Sequence, residues 1–190
     1  LVTLNTIDNS LYIGMQNDVS FIAYCKYLNL YEQQSTFNPN MPVRDFIYSG
    51  MLYKKYLRSV NANIYGKRIV KIPVPKLVVF YNGPEDTADE IILELKDAFP
   101  DGVDPNQSDI SVRVRMININ NGKNPWLLEA CEALKYYAKL IDDIRINKKT
   151  MPINEAVDKA ITSMNDGELK DYLLGHREEV NEMYILEYNE

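Results

Sequence analysis

The chain has 190 residues, 46% hydrophobic and 25% charged, enough for one sizeable core or for one domain with a small helical appendage. Its formal net charge of −6 argues against a nucleic-acid coat protein, and no apolar run approaches the roughly 18 residues that a membrane span needs. No signal-peptide pattern is present, and Cys25 and Cys131 have no Cys/His cluster around them, so neither a structural zinc nor a disulfide framework is expected, and a reducing cytoplasm is the default setting.

In chain order, Leu4–Ile13 reads as a weak extended or short helical lead-in, and the opening at Leu1 rather than methionine suggests residues upstream. Asp18–Lys26 is rich in β-branched and aromatic residues and predicts a strand, followed with little room for a loop by a second, Tyr27–Gln34. In that hairpin Asp18 and Glu32 fall near opposite ends of the paired strands. Turn formers fill Ser35–Pro42, and Pro42 suits the first turn of a helix capped by Asn40. That helix is expected from about Val43 to Val60, with Phe46, Ile47, Met51 and Leu57 near helical spacing,. Pro73 and Pro75 cannot donate to a central ladder, so a buried strand is expected after them, at Leu77–Tyr81. Ile91, Ile92, Leu95 and Phe99 give Thr87–Phe99 a helical period, and Ile110–Ile119 alternates Val112, Val114 and Met116 against Ser111, Arg113 and Arg115 as a half-covered strand,. Three helices complete the chain: Pro125 to about Lys148, Pro152–Met164 and Leu169–Tyr188. The single histidine, His176, reads as a surface residue, and Glu178, Glu179, Glu182 and Glu187 as a solvated face.

Charge is unevenly placed. From Phe46 to Gly83 there is no Asp or Glu, while Lys54, Lys55, Arg58, Lys67, Arg68, Lys71 and Lys76 all fall there. A one-signed block interleaved with tyrosines can track a phosphate backbone, and equally can be a solvated helix face followed by a basic loop. The second strand carries the other notable feature. Its side chains alternate faces, so Glu32 and Gln34 share the face of Leu28 and Leu30. A carboxylate at the end of an apolar face must sit at the rim, be paired, or hold a cation. Asp18 and Glu32 converging at a sheet edge suit magnesium, which takes one or two carboxylates and keeps several waters. Strand-end carboxylates and amides satisfied by backbone are the plainer account of the same residues. Arg44, one turn into the helix, is a candidate for phosphate.

The segments NDVSF at Asn17–Phe21, LYEQQSTFNPNMPVR at Leu30–Arg44, KLVVFYNG at Lys76–Gly83, MININNGKN at Met116–Asn124 and GHREEVNEM at Gly175–Met183 resemble the bacterial recombination-promoting nucleases, a transposase-like (Rpn-like) family of the PD-(D/E)XK nuclease superfamily. The resemblance covers nearly the whole chain, and the block around EQQSTFNPNMP is its most specific part. It implies an α/β fold, a restriction-endonuclease-like mixed β-sheet flanked by helices, with a nuclease-like core over 1–122 and a helical C-terminal region over 123–190. It also implies a metal-dependent DNA endonuclease of a mobile-element or recombination-associated family, a hydrolase that uses Mg2+ (or Mn2+). Asp18 and Glu32 would match the two acids that hold the metal, and Gln34 the position usually held by lysine. Lys54, Lys55, Arg58, Lys67 and Arg68, with Arg44, would contact DNA, and a homodimer is compatible with that role. Gln34 brings no charge where lysine would, and the helix that usually precedes such a core is missing from the sequence. The alternative function is therefore a catalytically weak or inactive DNA-binding or protein-interaction module on the same fold.

Overall fold

The computed structural model describes residues 2–4, 19–24, 26–165 and 167–178. The chain divides into two compact units, one of 1–81 and 90–117, the other of 82–89 and 118–190.

The first unit is built on a six-stranded mixed sheet, so the protein is α/β. Strands β1 (Val2–Leu4), β2 (Val19–Ala23) and β3 (Tyr27–Gln34) form an antiparallel meander. The chain then enters helix α1 (Met41–Ser59) and returns as β4 (Val74–Tyr81), parallel to β3 with Glu32 opposite Val79. Strand β5 (Glu90–Glu94) pairs antiparallel with β6 (Arg113–Asn118), and the sheet order is β1-β2-β3-β4-β6-β5. A parallel neighbour requires a crossover, and α1 supplies it.

The β2–β3 pair forms because both segments are β-branched and aromatic and one face of each can be buried. Its register sets Val19 opposite Tyr31, so the start of β2 lies beside the end of β3 rather than at the opposite end of the pair. Leu28 and Leu30 pack with Ile22 against Tyr48 and Leu52 of α1. The buried stripe of α1 is Met41, Asp45, Tyr48 and Leu52. That is not the face expected from Phe46, Ile47 and Leu57: Phe46 and Ile47 are each 43% exposed. The apolar count favours their face, whereas the sheet selects the one bearing Asp45.

Two other expectations are corrected. Strand β4 begins at Val74 and includes Pro75, opposite Leu28. Proline is tolerated there because it stands at the strand's first turn of ladder, where the preceding Val74 N–H already bonds Lys26 O (2.8 Å),. The predicted helix over Thr87–Phe99 is instead β5 followed by a 3-10 turn, Leu95–Ala98. Pairing with β6 overrides the helical spacing: Leu93 faces Val114 and is buried, and exposed Ile92 faces Arg115,. Glu90 closes the edge by accepting both Nε and Nη2 of Arg115 (2.7 and 2.6 Å).

The second unit contains α2 (Pro125–Ala130), α3 (Glu132–Lys148), α4 (Ile153–Ser163) and α5 (Glu168–Gly175). The single helix expected over Pro125–Lys148 breaks at Cys131, which is extended and exposed. Leu140, Ile141 and Ile144 of α3 form a core with Val157, Ala160 and Ile161 of α4. Beside it the loops are held by amides. Asn118 Nδ2 donates to Thr87 Oγ1 (2.9 Å), Asn120 Nδ2 to Gly83 O (2.9 Å), and Asn124 Nδ2 to Asn118 O (2.8 Å). Arg145 donates to Asn120 Oδ1 (2.9 Å) and to Asn82 O. Asn124 sits at φ 42°, in the left-handed region that asparagine tolerates better than most residues,. His176 is exposed and stacked on Tyr172, and Glu178 is exposed. Glu179, Glu182 and Glu187 lie outside the described residues. Among the described residues no helix is long and apolar enough to cross a membrane.

Candidate functional site

Strand alternation and the placing of α1 bring four polar side chains to the end of β3. Glu32 and Gln34 follow Leu28 and Leu30 on the face that α1 covers, and the first turns of α1 set Met41, Arg44 and Asp45 in the same neighbourhood. Glu32 is 4% exposed and Asp45 1%, so two carboxyl groups are buried together. Arg44 Nη2 lies 3.1 Å from Glu32 Oε2, and its guanidinium stands 5.8 Å from the centre of the Tyr48 ring, within cation–π range,. A buried carboxylate of this kind is costly without a cation, and Arg44 is the cation the fold provides.

Asp45 has less support. Its Oδ1 is buried with no hydrogen-bond partner. Burial, then the neighbouring Glu32 charge, push its carboxyl from an ordinary 3.8 up to about 8, against an opposing pull from Arg44,. Gln34 is similarly under-satisfied: Nε2 donates to Met41 sulfur (2.6 Å), a weak acceptor, and Oε1 is buried without a partner,. The pocket thus holds hard oxygen atoms whose bonding capacity the protein itself leaves unused.

Of the residues singled out in the sequence, Glu32, Gln34 and Arg44 share this site, with Arg44 turned toward Glu32. Asp18 lies outside the described residues; the described ladder ends at Val19 opposite Tyr31, one position short of each acid in sequence. Lys54, Lys55 and Arg58 are exposed along the later turns of α1, and Lys67 and Arg68 are exposed in the segment after it. Lys54 and Arg58 line one shallow concavity with Tyr53 and Tyr65. Among the described residues no three His, Cys, Asp or Glu side chains gather into a metal-binding group.

Sequence reasoning missed Asp45. The signal was present as the spacing Met41, Asp45, Tyr48, Leu52, which puts a carboxyl within a helical apolar stripe. A separate cleft of about 560 Å³, lined by Phe46, Ile47, Tyr53, Pro75, Leu77 and Val112 among others, is mostly apolar and contains no acid. The buried carboxyl groups lie at the end of β3, apart from that cleft.

The fold and site define a mixed α/β protein with two buried carboxyl groups under the start of a crossover helix. No protein-family model, curated protein or solved structure matches the chain.

Proposed function

We propose that the protein is a metal-dependent DNA endonuclease with a restriction-endonuclease-like core, related to the transposase-like recombination-promoting nucleases whose segments its sequence resembles. The observation that supports this most is the pocket at the end of β3: Glu32 and Asp45 buried together, with unpartnered oxygens on Asp45 and Gln34. A hard divalent ion fits that donor set, because magnesium needs only one or two carboxylates and completes its shell with water. Glu32, Asp45 and, from the resemblance, Asp18 would hold Mg2+ or Mn2+. When bound, such an ion polarises the scissile phosphate and lowers the pKa of an attacking water.

The chain's own residues have definable tasks in that reaction. A P–O bond forms to the water oxygen as that water gives up a proton to bulk solvent, the ester P–O bond breaks, and the leaving oxygen takes a proton from solvent. Gln34 Oε1 can accept a hydrogen bond from the attacking water and so orient it, though without the charge that lysine would contribute at that position. Arg44 stands beside the two acids with its side chain 37% exposed and can donate to a phosphate oxygen. Lys54, Lys55, Arg58, Lys67 and Arg68 supply the sequence-independent attraction for a phosphate backbone that −6 overall would otherwise oppose,.

The test is nicking of supercoiled plasmid in Mg2+ or Mn2+. The wild type is expected to nick, and Glu32→Gln to lose nicking while remaining folded by circular dichroism; nicking that survives in Glu32→Gln and Asp18→Ala removes the proposal. A second reading, a DNA-binding module without turnover, is favoured by one observation: Glu32 is held by Arg44 rather than left open. It predicts a salt-sensitive DNA shift with no cleavage in either metal.

A further inference from the structure

Arg44 has two tasks assigned to it, pairing with Glu32 and contacting phosphate, and one side chain cannot do both at once. The pocket around it is also unevenly matched. One guanidinium stands beside two buried carboxyl groups, with its Nη2 3.1 Å from Glu32 Oε2. Asp45 Oδ1 and Gln34 Oε1 are buried with no hydrogen-bond partner. A planar guanidinium donates N–H groups along fixed edges, and neither Asp45 Oδ1 nor Gln34 Oε1 takes a hydrogen bond from it. A small dication accepts oxygen donors from several directions, neutral amide and carboxyl oxygens as well as carboxylates.

We infer that Arg44 and the divalent cation are alternative occupants of one place, the oxygen face made by Glu32, Asp45 and Gln34, and that the arriving cation releases Arg44 toward solvent and the DNA phosphate. This rests on the metal-site reading above and adds to it an exchange. Geometry permits the release. Arg44 is 37% exposed where Glu32 is 4%, and it is only one turn into α1, at the end of the helix nearest the site. It also lies over the Tyr48 ring, a contact that a long flexible stem can keep or leave. In the metal-free protein Arg44 keeps the buried Glu32 charge compensated; with metal and DNA bound it is free to hold substrate.

The experiment is a titration of the wild-type protein with Mg2+, without DNA, followed by NMR of two side chains: the Arg44 Nε–H, assigned through its own backbone, and the Gln34 amide. Both resonances are expected to move together and to saturate at the same Mg2+ concentration. Movement of the Gln34 amide with Arg44 unchanged overturns the exchange and leaves the metal site standing. If neither moves up to tens of millimolar Mg2+, the metal reading and the exchange both fail. A companion measurement is Mn2+ affinity by electron paramagnetic resonance. Removing the competing charge in Arg44→Gln should tighten Mn2+ binding about tenfold, a modest fraction of what Coulomb attraction between close charges allows, and Asp45→Asn should weaken it. Equal or weaker binding in Arg44→Gln overturns the exchange. Because the wild-type titration requires no variant, poor folding of Arg44→Gln leaves the test intact.

Discussion

Under the start of α1, two buried carboxyl groups and a half-buried amide share a single guanidinium; in the second unit, buried Asn82, Asn118 and Asn124 lie among loops where donors and acceptors are matched through Thr87, Gly83, Tyr137 and Arg145. Both clusters are polar, buried and close to an arginine. In the asparagine cluster no side-chain nitrogen or oxygen is left buried without a partner among the described residues, while Asp45 and Gln34 each leave one. Neutral amides carry both donors and acceptors and can close a network among themselves. Carboxylates only accept, so they need a cation or a proton from elsewhere. A closed amide network fixes loops; an open set of acceptors is what a ligand-binding pocket requires.

The largest effect should come from breaking the open cluster at the Arg44–Glu32 ion pair. Arg44→Ala removes the guanidinium beside buried Glu32, a change that costs about 3 kcal/mol, the low end for such pairs because Arg44 is partly solvated,. Urea denaturation measures it. The double variant Glu32→Gln with Arg44→Ala should recover most of the loss, since a neutral amide does not need the cation. A double variant as unstable as Arg44→Ala alone would show that Arg44 acts through packing on Tyr48, and the two clusters would then differ less than their bonding suggests.

Next in size is Asn118→Ala in the closed cluster. It removes the donor to Thr87 Oγ1 and the acceptor that serves both N–H and Nδ2 of Asn120 (2.9 Å each). Stranding such groups costs about 2 kcal/mol. The loss should be independent of pH, because no member of these bonds titrates, and it should leave Mn2+ binding unchanged. A metal-affinity loss in Asn118→Ala would end the distinction between structural and ligand-directed clusters.

How much of this was legible in the sequence follows from which forces decide each element. The β2–β3 pairing and the burial of Glu32 with Leu28 and Leu30 follow from alternation alone, and so does the split in β6 between buried Val114 and Met116 and exposed Arg113 and Arg115. Asp45 was missed because the helix was read by where its apolar residues are most numerous, and Phe46 and Ile47 outweigh a stripe that contains a carboxyl. Only the position of the sheet reveals which face is inward. The strand at Glu90–Glu94 was hidden for a similar reason: five residues carry too little local preference to outweigh a helical period, and its partner strand is some 20 positions away in sequence. The partner of Glu32 was also out of reach, since a strand pattern states that a charge must be compensated and not by what.

The smallest effect separates the two clusters by pH. Asp45 holds its proton more tightly when folded, its carboxyl being raised from 3.8 to about 8 by burial and then by Glu32. The native state therefore binds more protons than the unfolded chain between those values, and stability falls as pH rises across that window. The contribution is complete below 3.8 and is lost as pH passes through about 8. Asparagine mimics the protonated acid in shape and charge, so Asp45→Asn should change stability at pH 6 by less than about 1 kcal/mol and should flatten the decline toward pH 9. Urea midpoints at pH 6 and pH 9 for both proteins decide it. A decline equally steep in Asp45→Asn would assign it to another group and would mean that Asp45, like the asparagines, is satisfied as it stands, whereas a flattened one locates the proton at the pocket beside Glu32.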